Sequence, residues 1–160
     1  MDIMGTAHLG FALTAIGFGA IVLASPKGTR SHRWLGRCYG AAMLGLNATA
    51  LLIYDLYGEF GPFHWLALAS LATLIAGLTA VWRRRPAGGW VRMHAEFMAW
   101  SYVGLLAAAL AEAVSRIPGV PFAGSVIAAS VIVLVAGGIV LRARLPAALH
   151  GVGPGGHRPD

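Results

Sequence analysis

Five long apolar runs, separated by short polar connections, constrain this 160-residue chain more than any other feature. A helix needs about 20 apolar residues to cross a hydrocarbon core roughly 30 Å thick. We predict membrane spans at about residues 7–25, 35–57, 62–82, 93–114 and 121–141. Backbone groups in lipid must bond within helices or closed barrels, and these runs lack the alternation of barrel strands. The predicted fold class is therefore an all-α integral membrane protein.

Composition indicates one bundle without a soluble domain. The chain is 58% hydrophobic and 11% charged, whereas soluble domains carry about 25% charged residues. We predict a single antiparallel transmembrane bundle over residues 1–145, because the connections are short. The first four helices are expected to form the bundle, and the fifth to pack outside it or meet a partner. The Gly- and Pro-rich residues 146–160 are predicted to be a disordered tail.

Basic residues predict the orientation of the chain. Of the twelve Lys and Arg residues, all except Arg116 lie in the first or third connection, at their edges, or near the C-terminus. The positive-inside rule then places the N-terminus outside and the tail in the cytoplasm, and we expect a multi-pass protein of the bacterial inner membrane. Because orientation accounts for these charges, the formal net charge of +6 does not indicate nucleic acid. The expected partner is the lipid bilayer.

Four histidines fall into two layers within this topology. His32 and His94 begin the second and fourth spans at the inner face, whereas His8 and His64 begin the first and third at the outer face. A six-coordinate b-type haem takes one imidazole on each side of its iron, so each layer has the ligands for one haem. The alternative is that these histidines only occupy the interfacial ends of helices, where water reaches them.

The inner layer has further candidate residues. Gly36 follows His32 by one helical turn, and a glycine face lets a flat macrocycle approach the backbone. Arg33 and Arg37 are candidates for binding haem propionates or anionic lipid heads. Met98 shares a face with His94 and is either an alternative soft ligand or a packing residue.

The outer layer also contains carboxylates. Asp55 and Glu59 end the second span, and Glu112 lies a full turn inside the fourth, with Arg116 at i+4 as its expected partner. A set of histidines and carboxylates suits zinc or another divalent ion at least as well as it suits haem. His8, His64 and Glu112 are thus an alternative metal site. Such a cluster also suits contact with a quinone.

Three segments, KGTRSHRWLGRCYG, GEFGPFHWLAL and HAEFMAWSY, resemble a family of predicted bacterial multi-helix membrane proteins of unknown function. The family pattern is Lys-Gly-x-x-x-His-Arg-x-x-Gly-x-x-Tyr, a histidine at the third span, and His-x-x-x-Met. The likeness covers about residues 7–115 and implies the multi-span fold but no activity. The residues that it brings forward are His32, Gly36, Tyr39, His64, His94 and Met98. The chain is also similar, more loosely, to transmembrane b-type cytochromes.

Three functions follow as hypotheses. The first is a small membrane redox protein that binds haem b and passes electrons between a quinone pool and a partner. The second is a non-catalytic accessory subunit that stabilises a larger membrane complex and binds lipid or pigment. That the chain has no cofactor is a separate alternative. The third is a metal-dependent membrane enzyme that uses the outer histidine and carboxylate cluster. Whether the chain is an enzyme stays open.

Overall fold

A computed structural model describes residues 3–54, 58–150 and 152 of the chain. The described residues form five α-helices, which confirms the all-α prediction. Their bounds are α1 Ile3–Ala24, α2 Arg30–Leu52, α3 Pro62–Arg83, α4 Trp90–Ser115 and α5 Phe122–Leu149.

The second and fifth helices differ most from the predicted spans. The α2 helix begins at Arg30, five residues before the predicted start at 35, because the Thr29 hydroxyl caps it by accepting a 3.1 Å hydrogen bond from the His32 backbone N–H. The α5 helix continues to Leu149 with Pro146 inside it, so residues 146–149 are helical and were wrongly predicted as the start of the tail. Most of the remaining predicted tail lies outside the described residues.

Among the described helices, α1, α3, α4 and α5 are long and apolar enough to cross a membrane. The α2 helix is not in this set, and its N-terminal half contains Arg30, Arg33 and Arg37. It is nevertheless well enclosed, with seven buried residues including Tyr39, Met43 and Asn47. A lipid bilayer is therefore the environment of this chain, which crosses it several times.

The first four helices form a closed ring. The α1 helix packs against α2 and α4, and α3 packs against the same two helices. Within the described residues no close backbone contact joins α1 to α3 or α2 to α4, so these are the two diagonal pairs of a four-helix bundle. The α5 helix packs on α4 outside the ring, as predicted.

Small residues let the helices approach closely. A Cβ atom at Gly19 of α1 would collide with the Tyr102 ring, and one at Gly45 of α2 would lie 2.6 Å from the Phe11 ring. By contrast, a Cβ at Gly36 would meet only Val22 at 3.9 Å, and one at Gly40 nothing within 4 Å. The backbone at Gly36 and Gly40 therefore has more free space beside it than that at Gly19 or Gly45.

Candidate functional site at the two ends of the bundle

The bundle has two chemically different ends. The basic end holds the connections 25–29 and 84–89 with His32 and His94, and the opposite end holds His8, His64 and Glu112. Each predicted layer therefore corresponds to one end of the bundle, with its two histidines at that end. In each layer the two histidines belong to diagonally opposite helices, α2 and α4 at the basic end, α1 and α3 at the other.

His94 is held by the neighbouring helix α3. Its Nδ1 atom lies 2.9 Å from the carbonyl oxygen of Gly77. Because a carbonyl only accepts, Nδ1 carries the proton and donates it. In the neutral ring Nε2 then has a free lone pair, the arrangement that ligating histidines have in metal sites.

His32 belongs to the same end of the bundle as His94, and the two rings interact electrostatically. Its ring also interacts with the backbone carbonyl of Val22 on α1. The Nδ1 atom of His32 is buried and, among the described residues, has no hydrogen-bond partner. A buried polar atom without a partner costs free energy, which makes Nδ1 a candidate ligand atom.

Lys27 is a member of this cluster that the sequence did not single out. Its ammonium donates to the carbonyls of Val22, Leu23 and Ser25 at 3.1, 2.7 and 3.2 Å, and it acts electrostatically on His32 and on His94. Burial lowers the pKa of the Lys27 amine from its ordinary 10.5. The sequence alone assigns Lys27 only a part in predicting the orientation of the chain, although it is the first residue of the Lys-Gly-x-x-x-His-Arg pattern.

The other predicted residues of the basic end lie around the pair. Arg33 and Arg37 are exposed, and Arg33 reaches the Gly28 carbonyl at 3.5 Å. Met98 packs over Gly77, where a Cβ would lie 2.8 Å from its sulfur. Met98 therefore has a packing role here, and its role as a ligand stays a prediction.

A buried hydrogen bond connects two helices in the bundle core, at a depth between the basic end and the opposite end. The Tyr39 hydroxyl of α2 lies 2.9 Å from Ser101 Oγ of α4. Ser101 donates to the Met98 carbonyl at 2.8 Å, so its oxygen accepts the proton of Tyr39. This bond joins the diagonal helices α2 and α4 through the core.

At the opposite end His8 is held by α2. Its Nδ1 atom lies 3.0 Å from Thr49 Oγ1, while the Thr49 hydroxyl shares its one proton between the carbonyls of Gly45 and Leu46, both at 2.9 Å. The oxygen of Thr49 thus accepts from His8 Nδ1–H, and Nε2 keeps a lone pair. His8 also interacts electrostatically with Glu112, which pairs with Arg116 as predicted.

His64 has the reverse arrangement. Its Nδ1 atom lies 3.0 Å from the backbone nitrogen of Gly61. Because an N–H only donates, Nδ1 accepts, and the proton of the neutral ring is on Nε2. His64 is 3% exposed, and the centroid of its ring lies 4.6 Å from that of Tyr54 and 4.7 Å from that of Phe60. Nε2 is buried and has no hydrogen-bond partner among the described residues.

The residues of the predicted metal site, His8, His64 and Glu112, all lie at this end of the bundle. Among the described residues no group of three or more His, Cys, Asp or Glu side chains is arranged to hold a metal ion. His8 is near Glu112, whereas His64 packs with aromatic rings. Glu59 is exposed, and Asp55 lies outside the described residues. A zinc site of His8, His64 and Glu112 stays a prediction.

The apolar helices and their bundle define a class: this is a multi-pass helical membrane protein with four of its histidines sorted to the two ends. More particularly, the chain belongs to the family described as Predicted membrane protein (DUF2306), whose model matches residues 5–149. This confirms the resemblance to a membrane protein family of unknown function. No curated protein and no solved structure matches the chain.

Proposed function

We propose that this protein is a small membrane redox protein that binds b-type haem through paired histidines and exchanges electrons with quinone or a membrane partner. The observation that carries the proposal is the placement of His32 and His94 on diagonally opposite helices at one end of the bundle. Side chains from a diagonal pair approach the bundle axis from two sides, so these two histidines would hold a b-type haem between them.

The residues of the basic end fit such a group. His94 offers Nε2 as a ligand atom because Gly77 accepts from its Nδ1, and His32 has a buried Nδ1 without a partner. Gly40 is a buried residue where a Cβ would meet nothing within 4 Å. When bound, haem would supply a one-electron couple; the histidines would hold it, and the exposed Arg33 and Arg37 would pair with its propionates.

The opposite end fits a second haem less well. His8 has a free lone pair on Nε2, but the Gly61 amide requires His64 to carry its proton there. Ligation by His64 through Nε2 would require this hydrogen bond to break. We therefore assign the haem to His32 and His94, and a second group at His8 and His64 only if the ring of His64 turns.

The proposed topology has five spans, including α2. Thr49 near the end of α2 bonds to His8 near the start of α1, and Gly36 near the start of α2 faces Val22 near the end of α1. The two helices therefore run antiparallel over the same depth, and α1 is itself long enough to cross. With the basic end inside, the N-terminus is outside and the C-terminus in the cytoplasm of a bacterial inner membrane.

The test is an absorption spectrum of the purified, reduced protein after haem-replete expression. We expect Soret and α bands of a six-coordinate b-type haem. Replacing His32 or His94 with alanine removes one of the two residues that would hold the haem, so either variant should lose these bands. The control is His150→Ala, which removes a histidine at the C-cap of α5, outside the four-helix ring.

Two results would contradict the proposal. One is a folded protein without Soret and α bands, and the other is an unchanged spectrum in both His32→Ala and His94→Ala. Either result, combined with co-purification of a large membrane complex, would favour the accessory-subunit hypothesis. Metal content that falls in His64→Ala would instead favour the metal-dependent enzyme.

A further inference from the structure

Lys27 is a cation fixed in place at the basic end. Its three donors point to the last carbonyls of α1, at Val22 and Leu23, and to that of Ser25. An ammonium group has three donors, so these bonds use its full capacity. Positive charge is also favourable at a helix C-terminus. Lys27 is therefore a built-in charge of the fold, without a donor left to bind an anion directly.

This charge interacts with both proposed haem ligands. The Val22 carbonyl that accepts from Lys27 also interacts with the ring of His32. Lys27 acts electrostatically on both His32 and His94, whereas Arg33, which is exposed, acts on His32. The ammonium is half-buried, and partly buried charges are screened less by salt than exposed ones.

We infer that Lys27 is a positioning residue that sets the reduction potential of the haem site at His32 and His94. This inference rests on the proposed function. A nearby positive charge disfavours the ferric form, which carries one more positive charge than the ferrous form. At an effective dielectric constant of about 20, a unit charge about 10 Å from the iron changes this equilibrium roughly tenfold. For a one-electron couple, tenfold corresponds to about 59 mV.

The experiment is a redox titration of the haem-loaded full chain, read from its α band. Lys27→Gln removes the charge but keeps an amide that can donate to the helix carbonyls, and we expect its midpoint potential to fall by about 59 mV. Lys27→Arg keeps the charge and should stay near wild type. Arg83→Gln removes an exposed cation from the last turn of α3 at the same end and is the matched control.

The outcomes separate the two proposals. A wild-type protein without haem bands overturns the proposed function and this inference together. Haem bound normally in Lys27→Gln, with a potential equal to that of Arg83→Gln, overturns the inference alone. If Lys27→Gln does not fold, Lys27→Met provides the same comparison with an unbranched apolar chain in place of the amine.

Discussion

Each end of the four-helix ring holds one of the two predicted histidine pairs, but His94 at the basic end and His64 at the opposite end are held in different ways. At the basic end His94 donates through Nδ1 to a backbone carbonyl, which frees the lone pair of Nε2. At the opposite end His64 accepts at Nδ1 from a backbone amide, which places the proton on Nε2. The backbone group that each ring meets therefore decides whether a buried imidazole offers a lone pair or a proton.

The largest expected effect comes from removing one histidine at each end and comparing the two variants. His94→Ala should abolish haem binding, because it removes one of only two proposed ligands. His64→Ala should leave the basic-end spectrum unchanged, since that ring is hydrogen-bonded to Gly61 and packed against Tyr54 and Phe60 at the opposite end. The measurement is haem content per protein from the reduced spectrum. Equal loss in both variants would mean that the ends are not chemically different.

Much of this arrangement can be predicted from the sequence, because membrane spans depend on long apolar runs and their order. That pattern predicts the helices, the position of α5 outside the ring and the sorting of the histidines to two ends. The Glu112–Arg116 pair follows from its i,i+4 spacing. The state of each ring cannot be predicted in this way. The Gly77 carbonyl that orients His94 belongs to another helix, and its approach depends on how α3 and α4 pack.

Local hydrogen bonds also cannot be predicted from the hydropathy pattern. The first turn of α2 is polar and exists because Thr29 caps it, so apolar periodicity places the start too late. Lys27 illustrates the same limit: its three bonds to the end of α1 bring it beside the histidines, whereas its charge alone indicates only orientation.

The second prediction tests how tightly the half of the bundle towards the basic end is packed. Gly19→Ala should lower the free energy of unfolding by about 1–3 kcal/mol, because its methyl group would press on Tyr102 and on the buried Tyr39. Gly17→Ala is the control, since a Cβ there meets nothing within 4 Å, and alanine is the better helix former by about 1 kcal/mol. Thermal unfolding in one detergent measures both. A Gly19→Ala variant as stable as Gly17→Ala would contradict this packing.

The third prediction tests the hydrogen bond that holds His8 at the opposite end. Thr49→Val keeps the shape of the side chain but removes the acceptor of His8 Nδ1–H, and should cost about 1 kcal/mol. Thr49→Ser keeps the hydroxyl and should cost less. Nitrogen NMR of the imidazole provides a second measurement, because loss of the acceptor should let the proton redistribute between Nδ1 and Nε2. An unchanged His8 spectrum in Thr49→Val would contradict the assigned bond.

The smallest effect compares two ion pairs of α4, one near each end of the helix. Arg92 pairs with Glu96 at the basic end and Glu112 with Arg116 at the other, and both are i,i+4 pairs of nearly equal exposure. Their order differs: glutamate precedes arginine only in the second pair, which is the better orientation. Glu112→Gln should therefore cost about 0.3–0.5 kcal/mol and Glu96→Gln less. Thermal unfolding at low and high salt measures the difference, which should shrink as salt screens the exposed charges. If Glu96→Gln costs more than Glu112→Gln at low salt, orientation along the helix does not control these pairs.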